Sequence, residues 1–148
     1  MAAIRESIEI SRRPEDVFAY LDDLARHGEW QEQIVSVHVD TEGPTRVGTR
    51  ATETRKIGGH EQTMTYEVTE HDPPRSFAFR GLDGPIRASG KGTVEPVGGG
   101  SRSRVSIDLE LTGHGLGKLL LPLAAGQARK QVPKDHKRLK ERLESDAA

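Results

Sequence analysis

Ile4, Ile8 and Ile10 fall on one face of a period-two segment, which predicts a strand, with Glu6 as the polar exception on that face. Ser11-Arg12-Arg13-Pro14-Glu15-Asp16 predicts a helix start: proline suits the first helical position, and the two acids complement the helix dipole. Val17, Phe18, Tyr20, Leu21 and Leu24 then recur at helical spacing. His27-Gly28-Glu29-Trp30 ends that helix or a second short one, with Gly28 suited to a left-handed C-terminal residue. Period two returns over residues 33–41, where Val35, Val37 and Val39 alternate, and again from Thr49 to Ile57 after a Glu42-Gly43-Pro44 turn. Gly58-Gly59 suits a two-residue hairpin, followed by the alternation of Gln62, Met64, Tyr66 and Val68 up to Asp72-Pro73-Pro74. Phe77 and Phe79 define a short strand, Asp83-Gly84-Pro85 a turn, and Ile86 to Val94 a strand softened by Gly90 and Gly92. Beyond Gly98-Gly99-Gly100, Val105, Ile107, Leu109 and Leu111 give the cleanest alternation in the chain.

After Gly113-His114-Gly115-Leu116-Gly117 the period changes from 2 to 3.6. Leu116, Leu119, Leu120, Leu123 and Gln127 share one helical face, while Val132, His136, Leu139 and Leu143 continue a stripe. Pro122 and Pro133 interrupt the hydrogen-bond ladder, so the pattern fits either one kinked helix over about 116–144 or a short helix and a longer one. Asp146-Ala147-Ala148 reads as a frayed end. Strands grouped together with helices at either end predict an α+β fold with an antiparallel sheet. A curved sheet cannot cover its own concave face, and the long C-terminal helix is the element large enough to do so. That arrangement predicts a cavity between them.

Composition narrows the function classes. The chain has 148 residues, within the range of one domain, here 1–148. Lys plus Arg is 22 against 23 Asp plus Glu, a net charge of -1, which argues against a dedicated nucleic-acid binder. Hydrophobic residues are 33%, but the high net charge that accompanies full disorder is missing. There is no cysteine, so disulfides, thiol catalysis and thiolate-bound metals are excluded. With no apolar leader after Met1 and no apolar run near the roughly 20 residues of a membrane span, the expectation is a cytoplasmic protein without a transmembrane segment.

Several local patterns carry a resemblance. They are Ile8-Glu9-Ile10 followed by Pro14-Glu15-Asp16-Val17-Phe18-Ala19-Tyr20-Leu21, then Glu29-Trp30, Val47-Gly48-Thr49, Tyr66-Glu67-Val68-Thr69-Glu70, Pro73-Pro74-Arg75 and Leu139-Lys140-Glu141-Arg142-Leu143-Glu144. In these residues and in element order the chain resembles the START-like, or SRPBCC, superfamily, and within it the polyketide cyclase/dehydrase and lipid-transport group. The resemblance covers nearly the whole chain. It implies a helix-grip fold, with a curved antiparallel sheet of about seven strands wrapped around a long C-terminal helix and two short helices after the first strand. It also implies a shared cup whose contents differ between members: lipid and hormone carriers, aromatic cyclases, and partners of other proteins. It brings no universal catalytic motif.

With the helix laid across the sheet, the inward positions are expected to include Met64, Tyr66, Phe77, Phe79, Ile86, Ala88, Val105, Ile107 and Leu109. The helix is expected to add Leu116, Leu119, Leu120, Leu123 and Gln127, and Tyr20 and Trp30 to close one end. Such a lining suits a small hydrophobic ligand, a lipid, polyketide or isoprenoid, oriented by hydroxyl, indole and amide groups. The plain alternative is a filled core. Ala88, Gly90 and Gly92 favour open space, because small residues there leave volume.

Catalytic chemistry has thinner support. His27, His38, His60, His71, His114 and His136 show no ligand spacing, so neither a metal nor another cofactor is expected. His114, flanked by glycines at the helix start, would be a base only if it faced a pocket. No Gly-x-Ser-x-Gly and no phosphate-binding loop occurs, and Gly113-x-Gly115-x-Gly117 lacks its βαβ context. Tyr66 is the one candidate proton donor, a role a cyclase or dehydratase would use with a carboxylate or a water. Glu6 on an apolar face would need a partner or a proton. The basic last helix, with Lys130, Lys134, Lys137, Arg138, Lys140 and Arg142, is a solvated face or a surface for a protein or an anionic membrane. Three functions stay open: a hydrophobic-ligand binding or transport module, an aromatic polyketide cyclase/dehydratase, and a protein-interaction module. The chain is expected to be a monomer or a weak homodimer.

Overall fold

The computed structural model describes residues 2–57 and 59–145; Gly58 of the expected hairpin pair, and the expected frayed end Asp146-Ala147-Ala148, lie outside them. Nine elements follow one another: β1 (Ala2–Ile10), α1 (Pro14–Asp22), β2 (Ile34–Val39), β3 (Arg50–Ile57), β4 (His60–Asp72), β5 (Ser76–Gly81), β6 (Ile86–Val97), β7 (Arg102–Gly113) and α2 (Gly117–Ser145). A single 3₁₀ segment, Leu24–Glu29, follows α1, as the pattern around His27 anticipates. Gly28 is not among the left-handed glycines, however; a Cβ there would meet the Ile34 side chain at 3.4 Å.

The strands form one antiparallel sheet in the order β1-β7-β6-β5-β4-β3-β2. Each consecutive pair from β3 to β7 is joined by a short connection, β2 and β3 by the longer segment 40–49, and the first strand closes against the last, Ile4 opposite Leu109 and Ile8 opposite Val105. Pro14 opens α1 with Glu15 and Asp16 in its first turn, and the helix buries Pro14, Val17, Phe18 and Leu21. Among the described residues no helix is long and apolar enough to cross a membrane.

The 29-residue α2 runs unbroken through both Pro122 and Pro133. This settles the choice between one helix and two. Its buried stripe is Ala125, Asp135, His136, Leu139 and Leu143, with Leu121, Ala128 and Val132 packed alongside. Leu139 and Leu143 join Ile10, Val17, Phe18, Leu21, Trp30, Val94 and Val105 in the main core. Polar bonds fasten the same end: the Ser11 amide donates to the Glu144 carboxylate (2.8 Å), Arg12 to the Leu143 carbonyl (2.8 Å) and Lys140 to the Glu9 carbonyl (2.8 Å). Glu6 is half-buried, opposite Ile107.

Candidate functional site

A half-open cavity of about 220 Å³ lies between the concave face of the sheet and the middle of α2. Period two supplies one wall: Met64, Tyr66 and Val68 from β4, Phe77 and Phe79 from β5, Ile86 and Ala88 from β6, and Val105, Ile107, Leu109 and Leu111 from β7. The other wall is helical and mostly small or polar, with Ala124, Gln127, Ala128, Gln131, Val132, Asp135, His136 and Leu139. Trp30 and His27 of the segment after α1, with Leu21, Asp22 and Leu24, close one end.

Of the residues expected inside, Trp30, Met64, Tyr66, Phe77, Phe79, Ile86, Ala88, Val105, Ile107, Leu109 and Gln127 line this one cavity. Three expectations are corrected. Leu116, Leu119, Leu120 and Leu123 face solvent. They lie on the opposite side of α2 from the stripe of Leu139 and Leu143, and one straight helix cannot bury both sides against one sheet. Tyr20 lies in a separate polar cleft among Arg12, Asp16, Arg26 and Arg142, where its hydroxyl donates to Glu29 (2.9 Å) under the Arg26 guanidinium. Burial and the Glu29 hydrogen bond both raise the Tyr20 pKa. Gly90 and Gly92 do not leave volume: Phe79 and Phe77 pair with them across the strands and lay their rings over them, so that a Cβ at Gly92 would stand 2.2 Å from the Phe77 ring. His114 is exposed and donates its backbone N–H to the Pro85 carbonyl.

One part of the lining is polar, and most of it was not anticipated. Arg55 donates to the Glu53 carboxylate at 2.6 Å and also to the Gln31 side chain. Asp135 accepts from the Gln131 amide (2.8 Å) and the Glu32 backbone N–H (3.2 Å). Burial raises the Asp135 pKa, against those hydrogen bonds and the charges of Arg55 and Arg138. His136 has no counter-charge, and burial alone pushes its pKa down to about 4, so it is neutral at physiological pH. His27, donating Nε2–H to the Leu21 carbonyl at 2.8 Å, is also lowered by burial. Trp30 stands between these two histidine rings, 5.6 Å from His27 and 6.3 Å from His136.

Trp30 Nε1, Gln127 Oε1 and His136 Nδ1 are buried with no hydrogen-bond partner among the described residues. Buried polar atoms are usually paired, so three unpaired ones around one cavity mark where a guest would bond. Tyr66 packs edge-on to Phe79 at 5.5 Å, and burial, with the charge of Glu53, raises its phenol pKa far above neutral. A phenol so placed is a hydrogen-bond donor more readily than a proton-transfer group. Among the described residues no group of three or more His, Asp or Glu side chains gathers to hold a metal.

Glu53 and Arg55 had a signal in the sequence. Ala51, Glu53, Arg55 and Ile57 share one face of β3, so the ion pair is carried inward by the apolar residues on either side. His136 sat openly in the helical stripe, and its neighbour Asp135 borders the same chamber.

The backbone closely follows known structures. TTHA0849 from Thermus thermophilus superposes with a TM-score of 0.82 at 23% identity, covering 99% of both chains. The Zhui aromatase/cyclase from Streptomyces sp. R1128 gives 0.80 at 16% identity, over 98% of this chain and 96% of that one. A START superfamily protein from Mycobacterium smegmatis gives 0.79 at 14% identity, over 98% and 99%. At these identities the likeness is one of fold. In sequence, the chain is 28% identical over 151 residues to the Mycobacterium tuberculosis protein Rv1546, covering 95% of this chain and 98% of that one. Residues 1–144 match the family described as polyketide cyclase / dehydrase and lipid transport, and the chain belongs to that family.

Proposed function

We propose that the cavity holds one small, largely hydrophobic molecule, a lipid, polyketide or isoprenoid-like compound, with a neutral polar group directed at Trp30, Gln127 and His136. The carrying observation is the set of three unpaired buried polar atoms around an otherwise apolar chamber. Charge points to a neutral group. Arg55 is already matched by Glu53, and His136 is uncharged, so among the described residues no free cation of the lining awaits an anion. The indole N–H donates and the amide oxygen accepts, which suits adjacent carbonyl and hydroxyl groups. At about 220 Å³ the space is below the roughly 300–1,000 Å³ of sites for drug-sized ligands, so a longer guest extends through the open side.

Trp30 is the only tryptophan of the chain, so its emission reports the cavity without a label. Titration with naphthols, hydroxyanthraquinones, fatty acids and isoprenols is expected to give a saturable emission change for at least one class. Gln127→Leu, which removes the unpaired acceptor, is expected to weaken that binding about ten-fold. No saturable change from any class would sink the reading.

A second reading, an aromatic cyclase or dehydratase, is favoured by the Glu53–Arg55 pair and Asp135 in the same lining, and one fold relative is an aromatase/cyclase. In that reading Tyr66→Phe lowers turnover of a poly-β-ketone about a hundred-fold while leaving binding intact. Unchanged turnover with unchanged binding removes Tyr66 from the chemistry.

A further inference from the structure

The start of α2, with Leu116 just before it, carries an apolar surface that none of the described residues covers. Leu116, Leu119, Leu120 and Leu123 are 78%, 80%, 45% and 65% exposed. Scattered exposed leucines are ordinary, but four on adjacent turns of one face are not. Continuing the same spacing brings Lys130 and Lys134 to that side. Between Glu110 and Asp135 the chain contains no acid, while Lys130 and Lys134 are exposed and form no ion pair among the described residues. The neighbouring β5–β6 turn, whose Pro85 carbonyl abuts Gly117, does hold an acid, Asp83, but its carboxylate is turned back to accept the Thr65 backbone N–H at 2.7 Å.

We infer that this face of α2 docks on a lipid surface bearing negatively charged headgroups. The leucines enter the boundary between headgroups and acyl chains, and Lys130 and Lys134 lie along the phosphates. Charge separates this occupant from a second copy of the chain. A symmetric contact that buried the leucines would leave Lys130 and Lys134 on the same face, with no acid between Glu110 and Asp135 of the second copy to pair with them. Shape separates it from a folded protein partner: the leucines project from a convex helix with no groove of their own, which suits a soft boundary that yields around them. The face also borders the cavity, since Leu120 and Leu123 flank Ala124 and Gln127 of its lining. The docking stands whatever the cavity holds.

The test is co-sedimentation of the full chain with vesicles of phosphatidylcholine alone and with roughly 30% phosphatidylglycerol added. Partitioning is expected to be at least about ten-fold stronger on the anionic vesicles and to fall as salt rises. Leu119→Gln/Leu123→Gln and Lys130→Glu/Lys134→Glu are each expected to reduce it about ten-fold or more, with unfolding midpoints unchanged because all four side chains face solvent. Equal binding to both vesicles, or leucine variants that bind as well as the parent, would overturn the inference. So would a lipid-free dimer that the leucine variants abolish.

Discussion

The two halves of α2 obey one helical period but build different things. In the C-terminal half the inward residues are large: Leu139 and Leu143 are buried among Phe18, Val17 and Val94, and side-chain bonds from Arg12 and Lys140 hold the helix against the β1–α1 junction. In the N-terminal half the inward residues over the cavity are small, Ala124, Ala125 and Ala128, with Leu121 packed inward before them, while Leu116, Leu119, Leu120 and Leu123 point away. The helix is still held at its start. A Cβ at Gly117 would lie 1.9 Å from the Pro85 carbonyl oxygen, a contact open only to glycine. Fixed at both ends, α2 spans the sheet with its small residues over the gap. Side-chain size along one face therefore decides where the interior is a packed core and where it is a chamber.

The sharpest way to break this comparison is to shrink the large half. Leu139 is fully buried and belongs to the main core, so Leu139→Ala is expected to cost about 2–5 kcal/mol, the range for a cavity opened in a packed interior. Denaturant unfolding would show it as a lower midpoint at unchanged slope. A loss below about 1 kcal/mol would mean the C-terminal half is as loosely packed as the N-terminal half.

Between the two halves sits His136, and it makes the junction sensitive to pH. Its pKa is about 4 in the folded protein and about 6.5 when the chain unfolds. Between those values the unfolded state binds the extra proton, so stability rises with pH across the window. The full contribution is present above about pH 6.5 and is lost progressively as pH falls toward about 4, at most about 3 kcal/mol. His27, lowered in the same direction, adds to the slope. Asp135, whose pKa is raised, acts oppositely: its stabilising effect is present at acid pH and lost as pH rises through its folded value. Unfolding midpoints from pH 7 to 4.5 are expected to fall less steeply in His136→Phe than in the parent. Parallel curves would place the histidine in water rather than beside the cavity.

The strands and their inward faces were legible because period two admits two phases, and Met64, Tyr66, Ile107 and Leu109 choose between them without ambiguity. The helix was legible in extent but not in rotation. Leu123 and Leu139 are sixteen residues apart, which at 3.6 residues per turn puts them roughly 160° apart around the axis. A break at Pro122 or Pro133 would have let both faces turn inward; a continuous helix forces a choice. Carrying the phase of Leu139 backward through Val132 reaches Ala128, Ala125 and Leu121, the residues that do face the sheet. Hydrophobic bulk pointed to the wrong side, and continuity of phase pointed to the right one. The glycines of β6 misled in the other direction, because Phe77 and Phe79 reach across the strands to fill the space above them, a pairing that needs register as well as pattern. The polar lining was missed because Glu53 and Arg55 look like surface charges until their strand is buried on that face.

The smallest expected effect sharpens the comparison most. If the leucines of the N-terminal half are outside the fold's packing, removing them should leave stability nearly untouched. Leu119→Gln and Leu123→Gln keep helix propensity close to that of leucine and replace only the exposed apolar surface. Each is expected to change the unfolding free energy by no more than about 0.5 kcal/mol, against the several-fold larger loss at Leu139. The measurement is the same denaturant titration, run on the two variants singly. A loss above about 1 kcal/mol at either position would show that the leucine packs inward, and the division of α2 into a large-residue core half and a small-residue chamber half would no longer hold.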